Sequence, residues 1–217
     1  MVHKANISQA TLVRLPGYLR YLTDKAKEGY EHISSTVIAK DMHLNPVQVR
    51  KDLAVASRVA GKPKAGFSLA ELIRDIEDFL GFHHVANAVL IGAGQLGSAL
   101  MGYEGFTNYG LNIVAAFDKN PAIQGKTVNG KPVLPLEELS RVVKENRVFI
   151  GIITVGKEYA QEVAETLVAA GIRGIWNFAP QHLLLPAEIA VKHEDMAASL
   201  AILSKKLFDL DNEWLLT

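Results

Sequence analysis

The stretch VLIGAGQLGSAL, residues 89–100, constrains this chain more than any other. An apolar run breaks into Gly92, Gly94 and Gly97 and then resumes with helix-forming residues, the order of a strand, a tight turn and a helix. In a G-x-G-x-x-G turn the first glycine allows the reversal, the second lets backbone approach a pyrophosphate, and the third lets the helix pack on the strand. Ala93, Gln95 and Leu96 fill the positions between, so residues 92–97 are the expected phosphate cradle, with Ser98 or Ala99 opening the helix. The turn begins only after roughly ninety residues, so the N-terminus must hold something else.

From residue 85 onward strand and helix patterns alternate, which points to an α/β, doubly wound parallel sheet covered on both faces. Strands are expected at VANAVLI, LNIVAAF, RVFIGIITV and RGIWNF, with short β segments at GKPVL and AEIAVKH. Helices are expected after the glycine turn, after Pro135 and from Gly156 to Gly171. Asp118 ends the second strand about twenty residues beyond Gly97, where a carboxylate accepts both adenosine ribose hydroxyls. No arginine follows to meet a 2′-phosphate, which favours NAD(H) over NADP(H), although Lys119 is adjacent. A fold of the same type with a different ligand, such as coenzyme A, stays open at this point.

The segment before the sheet reads as four helices. Leu12, Leu15, Leu19 and Leu22 recur at helical spacing behind the candidate cap Ser8, with Pro16 as an expected kink and Gly29 as a stop. A short helix follows Ser34 or Ser35. In HLNPVQVRKDLAVAS, Asn45 suits the cap, Pro46 the first turn, and Asn45 with Gln48 approximates a capping box. Val49 and Leu53 face inward, leaving Gln48, Arg50 and Lys51 toward solvent. Two short helices joined by a tight turn match a helix-turn-helix whose second helix enters the major groove of DNA. Arg and Lys suit guanine and Gln suits adenine there. RVAGKPKAGFS supplies a wing whose Lys62 and Lys64 lie along phosphates. Ser68 and Glu71 then form a capping box for LAELIRDIEDFLG. A helical interaction module with an exposed charged face is the other reading of this pattern.

Charge supports the first. Residues 1–70 carry eleven Lys or Arg against five Asp or Glu, and the chain as a whole is neutral, so the N-terminal part is the basic one. Such asymmetry suits an anionic partner. The longest apolar runs fall far short of the roughly 20 residues of a membrane span. MVHKANISQ lacks the apolar core of a signal peptide, so a cytoplasmic location is expected. There is no cysteine, which leaves no disulfide, thiolate metal site or thiol redox sensor. No metal site is expected. Catalysis is not expected either: only about thirty residues remain after the sheet for a substrate domain. None of the seven histidines, His83, His84, His182 and His193 among them, sits in a triad or metal-ligand spacing.

The final segment, DMAASLAILSKKLFDLDNEWLL, places Leu200, Leu203, Leu207 and Leu210 on one helical stripe. With both sheet faces already covered, a partner subunit is an expected recipient, by exchange of the helix between two chains. The domains read as 1–81, a winged helix; 82–194, a Rossmann-type unit; and 195–217, a dimerisation helix.

This order of parts resembles the Rex family of redox-sensing transcriptional repressors. The resemblance runs over nearly the whole chain and rests on RLPGYLRYL, ISS, QVRKDL, IGAGQLGSAL, AAFD, AAGIRGIWNFAP and HEDMA. It implies a homodimer that holds an inverted-repeat operator when NAD⁺ is abundant and releases it on binding NADH. Asn45, Gln48, Arg50 and Lys51, with the wing lysines, become the DNA-facing set. The glycine turn takes the pyrophosphate and Asp118, beside Lys119, the ribose. Thr154, Val155, Asn177 and Phe178 line the nicotinamide side. Tyr103 and Met196, the latter standing where the family has a large apolar residue after the acidic one, are expected to give the ring an apolar enclosure. Arg20, Tyr103 and Asp195 match residues whose contacts across the dimer differ between the two states. Where the family has a proline after Thr154 and Val155, this chain has Gly156. An NAD-linked oxidoreductase with a helical accessory domain is the alternative function, separable by a turnover assay.

Overall fold

Thr11, Leu15, Tyr18, Leu19 and Leu22 are buried along one face of α1 (Gln9–Lys27), and that face centres the core of the described N-terminal residues. Ser8 caps the helix by accepting from the Thr11 N–H, and the helix continues through Pro16 as one element rather than breaking there. Against it pack α2 (Ser35–Asp41), α3 (Pro46–Ala56) and α4 (Leu69–Leu80), which contribute Ile38, Val49, Leu53, Leu72 and Ile76 to a shared core. β1 (His32–Ile33) and β2 (Phe67–Ser68) pair antiparallel. The computed structural model describes residues 7–58, 66–82 and 86–214, without side chains for 108 and 210–214. The chain forms two units, 1–84 and 85–217.

The second unit is a seven-stranded sheet in the order β5-β6-β4-β3-β7-β8-β9. Its strands are β3 (Ala86–Ile91), β4 (Leu111–Phe117), β5 (Thr127–Val128), β6 (Lys131–Leu134), β7 (Ile150–Ile153), β8 (Gly174–Asn177) and β9 (Ala190–His193). All neighbours run parallel except β5 and β6. Side chains alternate across a strand, so a sheet covered on both faces must be apolar at every central position. β3 obeys this: Val89 and Ile91 join the core that holds Val142, Val163 and Leu167, while Ala88 and Leu90 join the one that holds Met101, Ile113 and Ile152. The helices are α5 (Gln95–Met101), α6 (Leu139–Glu145), α7 (Lys157–Ala169) and α8 (Met196–Trp214), with 3₁₀ turns at Glu104–Tyr109 and Leu136–Glu138.

The order reverses at β3, whose neighbours β4 and β7 are reached by crossovers to opposite sides. The crevice beyond the carboxyl ends of such strands is where this architecture takes ligands. Two expectations need correction. α5 opens at Gln95, not at Ser98 or Ala99, so Gly97 lies inside the helix. The proposed Ser68–Glu71 box does not form at Ser68, whose side chain makes no cap bond while its backbone pairs in β2.

Candidate functional site: a nucleic-acid-facing helix and a dinucleotide cleft

α2 and α3 are joined by four residues. His43 takes a left-handed φ of 53°, and the Leu44 N–H donates back to the Ala39 carbonyl at 2.8 Å, which closes the turn. Asn45 Oδ1 then accepts from the backbone N–H groups of Val47 (2.8 Å) and Gln48 (3.3 Å), and Pro46 occupies the first turn, where its missing donor costs nothing. Val49, Leu53 and Ala56 turn inward, and Arg50 and Lys51 stand exposed on the opposite side.

Gln48 departs from the expected pattern. Its residue is exposed, but its amide does not complete a capping box; Nε2 donates to Asp52 Oδ1 at 2.9 Å. Asp52 is 1% exposed and also accepts from Thr11 Oγ1 (3.0 Å), Tyr18 Oη (2.8 Å) and both Nε and Nη2 of Arg14 (2.7 and 2.9 Å). Burial pushes this carboxyl upward, yet the donors of Arg14, Tyr18, Gln48 and Thr11 outweigh it and hold Asp52 at about 2. The same contact raises the Arg14 guanidinium, and burial with the Asp52 hydrogen bond pushes the Tyr18 hydroxyl up to about 12. α3 is thus pinned to α1 through its inner face, while Arg50 and Lys51 take no part in this network. QVRKDL contains Asp52, but its role escaped the sequence reading; the signal was the polar row Thr11, Arg14, Tyr18 on an otherwise leucine-rich helix.

At the end of α3, Asp75 of α4 accepts from Ser57 Oγ (3.1 Å) and the Arg58 N–H (2.8 Å), tying the end of α3 to α4. Lys62 and Lys64 lie outside the described residues. Arg20 is exposed on α1.

In the second unit the glycine turn behaves as its spacing predicts. Gly92 has φ 101°, and a Cβ there would stand 2.9 Å from Val155 Cγ1 and 3.0 Å from the Thr154 carbonyl, so both the turn and the approach of β7 require glycine. A Cβ on Gly97 would lie 2.0 Å from the Gly92 carbonyl oxygen, which explains why the third glycine sits within α5. A Cβ on Gly94 would meet nothing within 4 Å: this glycine borders open space on the ligand side. Thr154 Oγ1 donates to the carbonyls of Gly92 (2.7 Å) and Ile91 (3.0 Å), tying β7 to the turn. The Asp118 carboxylate accepts from the backbone N–H groups of Ala93 (2.8 Å) and Asn120 (2.9 Å), so it is aimed across the turn.

These residues surround a cleft of about 390 Å³ that brings together Gly92, Gly94, Asp118, Lys119, Thr154 and Val155. Leu136, Tyr159, Glu162 and Val163 complete its far wall, a contribution from the 3₁₀ turn Leu136–Glu138 and from α7 that the sequence reading did not foresee. Tyr103, Asn177, Phe178 and Met196 are not in its lining. Tyr103 and Phe178 instead end a row of rings, Tyr103–Phe106–Trp176–Phe178, with successive centroids 4.8, 5.4 and 4.9 Å apart. Trp176 Nε1 donates to Glu194 Oε1 at 2.9 Å, linking that row to the residues before α8. Asn177 is buried and braces its own loop: Nδ2 donates to the carbonyls of Ala179 (3.1 Å) and Gln181 (2.8 Å) and meets His193 Nδ1 at 3.1 Å. Asp195 caps α8, its Oδ1 accepting from the Ala198 N–H at 2.8 Å. Met196, Leu200, Leu203, Leu207 and Phe208 of that helix are each more than half exposed on the single chain.

A basic helix-turn-helix unit followed by a nucleotide-type sheet with an open glycine turn defines a class: a DNA-binding regulator carrying its own small-molecule sensor. A family described as a putative DNA-binding protein N-terminus matches residues 6–54, and a CoA binding domain matches residues 83–181. The chain belongs to the Rex family of redox-sensing transcriptional repressors. It is 44% identical to the redox-sensing transcriptional repressor Rex of Treponema denticola over 88% of this chain and 90% of that one. It is 43% identical to that of Desulforamulus reducens over 93% and 95%. Among solved structures it is similar to RSP, a Rex-family repressor, at 32% identity. The complex of RSP with NAD⁺ and operator DNA superposes at a TM-score of 0.89, covering 98% of both chains. The complex with NADH superposes at 0.87, covering 99% and 100%. Each of these relatives is a repressor.

Proposed function

We propose that this chain represses transcription by binding an operator as a homodimer and releases it when NADH occupies the cleft of the second unit. The observation that carries this is Gly94, which opens onto a cleft where Asp118 and the start of α5 converge, in a chain that begins with a pinned helix-turn-helix. The backbone of residues 92–97 receives the pyrophosphate and Asp118 the adenosine ribose. Thr154 and Val155 lie toward the nicotinamide, and Asn177, Phe178, Tyr103 and Met196 act at that end. Adenosine and diphosphate are common to coenzyme A and NAD, so the match to a CoA binding domain is consistent with the same cradle. Arg50 and Lys51 reach the DNA, with Asn45 and Gln48 at the entry of α3 and Lys62 and Lys64 in the wing.

The exposed stripe on α8 supports dimerisation by exchange of that helix, because several large apolar side chains in a row are covered in stable proteins. The domain assignment 1–81, 82–194 and 195–217 follows these roles. Among the described residues no helix is long and apolar enough to cross a membrane, and we place the protein in the cytoplasm, where operator and dinucleotide pool meet. Operator binding measured at one fixed salt concentration with NAD⁺, with NADH and with neither tests the proposal. Retention with NAD⁺ and release with NADH is expected; consumption of NADH with a small carbonyl compound would favour an oxidoreductase instead.

A further inference from the structure

Lys119 and Tyr159 meet across the outer mouth of the cleft. Lys119 follows Asp118 at the end of β4, and Tyr159 stands in the first turn of α7. The Lys119 ammonium lies 3.5 Å from the centroid of the Tyr159 ring, within the range of a strong cation–π contact. Asp118, although adjacent in sequence, is held separately by the backbone N–H groups of Ala93 and Asn120. The charged residues lining the cleft are Asp118, Lys119 and Glu162, so among the described lining residues Lys119 is the one cation.

An NADP-type dinucleotide differs from an NAD-type one by a phosphate on the adenosine 2′ oxygen, and sites that accept it place a cation where NAD sites place a carboxylate. This cleft holds both kinds of group. Building on the dinucleotide reading of the cleft, we propose that Tyr159 is a specificity-determining residue: its ring holds the Lys119 ammonium and so withholds from the 2′ position the cation that would pair with a phosphate. A 2′-phosphate then meets the carboxylates of Asp118 and Glu162 without compensation. The ring's aromatic face, not its hydroxyl, performs this role. Tyr159 is partly exposed, at 42%, so replacing it leaves no cavity in the core.

The test measures NADH and NADPH affinities of the full chain by calorimetry. The original protein is expected to prefer NADH. Tyr159→Ala should move the NADPH-to-NADH affinity ratio toward NADPH by about three- to tenfold, the scale on which a released cation–π partner forms a charge-assisted pair. That gain should shrink as salt is raised. Tyr159→Phe keeps the face and should leave the ratio unchanged. Lys119→Ala combined with Tyr159→Ala should remove the gain. An unchanged ratio in Tyr159→Ala, an equal loss for both dinucleotides, or a gain that survives in the double variant overturns the proposal. If the original protein binds neither dinucleotide, the reading of the cleft itself fails, an outcome distinct from an unaltered ratio between two measurable affinities.

Discussion

Arg14 grips Asp52 with two parallel contacts, Nε to Oδ2 at 2.7 Å and Nη2 to Oδ1 at 2.9 Å, and so fastens the inner face of α3 to α1. The carboxylate is buried and the guanidinium only partly so. Removing the carboxylate leaves Arg14 with solvent as its remaining partner but weakens the bonds of the donors Thr11, Tyr18 and Gln48 packed around it, at a cost of about 2 kcal/mol. Asp52→Asn should therefore destabilise the first unit by about that much, seen as a lower urea midpoint, and weaken operator binding while NADH binding persists. Equal stability for the variant would show that the pair is dispensable.

The same carboxylate makes an acid prediction. Its folded value of about 2 lies below the ordinary 3.8, so the stabilisation is complete above about pH 4 and is lost as pH falls through the folded value. Over that window Asp52 should account for about 2 kcal/mol of lost stability. Unfolding midpoints measured between pH 5 and pH 2 should fall more steeply for the original protein than for Asp52→Asn, which has no proton to gain there.

Arg50 and Lys51 are exposed beside this pinned face. Arg50→Ala and Lys51→Ala should weaken operator binding without altering NADH affinity. A lost phosphate contact lowers the salt slope by about 1, whereas a lost guanine contact costs about 1–3 kcal/mol at one base pair. Binding isotherms at several salt concentrations separate the two. If both variants bind as the original does, α3 is not the reader.

How far the sequence disclosed this depends on whether a residue's role is local. The glycine turn, the Asn45 cap before Pro46 and the carboxylate ending β4 each carry a local pattern, a glycine spacing, a cap before proline and an acid after an apolar run, and so are visible in the sequence. Thr154 and Ala93 nevertheless help to hold the first and last of them in the fold. α5 was misread because Gly97 has poor helix propensity and counts as turn in a linear pattern. Inside the fold, the proximity of the Gly92 carbonyl demands it. Asp52 itself carries no signal in the sequence beyond its charge because its partners Thr11, Arg14 and Tyr18 are about forty residues away. Tyr159 was hidden for a related reason: on α7 it reads as an exposed ring, and only the meeting of β4 and α7 at the switch point sets it over Lys119. β5, two residues long, carries no periodicity from which a strand could be read.

The glycines of the turn should respond oppositely to added bulk. Gly94→Val should abolish NADH binding, since a side chain would fill the approach to the pyrophosphate, yet leave the thermal midpoint near its original value because a Cβ there meets nothing within 4 Å. Gly97→Ala places its methyl 2.0 Å from the Gly92 carbonyl oxygen, so the backbone of the turn must shift and stability should drop. Calorimetry with NADH and a thermal melt distinguish the cases. Normal affinity in Gly94→Val would put the dinucleotide elsewhere.

The switch is best probed from Arg20. Asp195 caps α8 through its bond from the Ala198 N–H, so replacing it removes a helix cap, worth about 1 kcal/mol, along with any pairing to a partner chain. Arg20 is exposed on α1 and caps no helix among the described residues, which makes Arg20→Ala the cleaner change. In the proposed dimer, Arg20 of one chain pairs with Asp195 of the other in the DNA-holding state. In the same proposal NADH favours the released state, because there Tyr103 and Met196 would enclose its neutral ring without the desolvation cost of the NAD⁺ cation. Ligand and ion pair then pull on a single equilibrium. A near-complete switch requires roughly 10⁴-fold discrimination between the states, and DNA must oppose NADH by the same factor as NADH opposes DNA. Arg20→Ala should accordingly weaken operator binding and tighten NADH binding in the same protein, with no nucleotide contact altered. Both affinities are measured on one preparation, the first by anisotropy with labelled operator and the second by calorimetry. If operator binding falls while NADH affinity stays constant, Arg20 touches DNA or supports α1 and takes no part in the coupling.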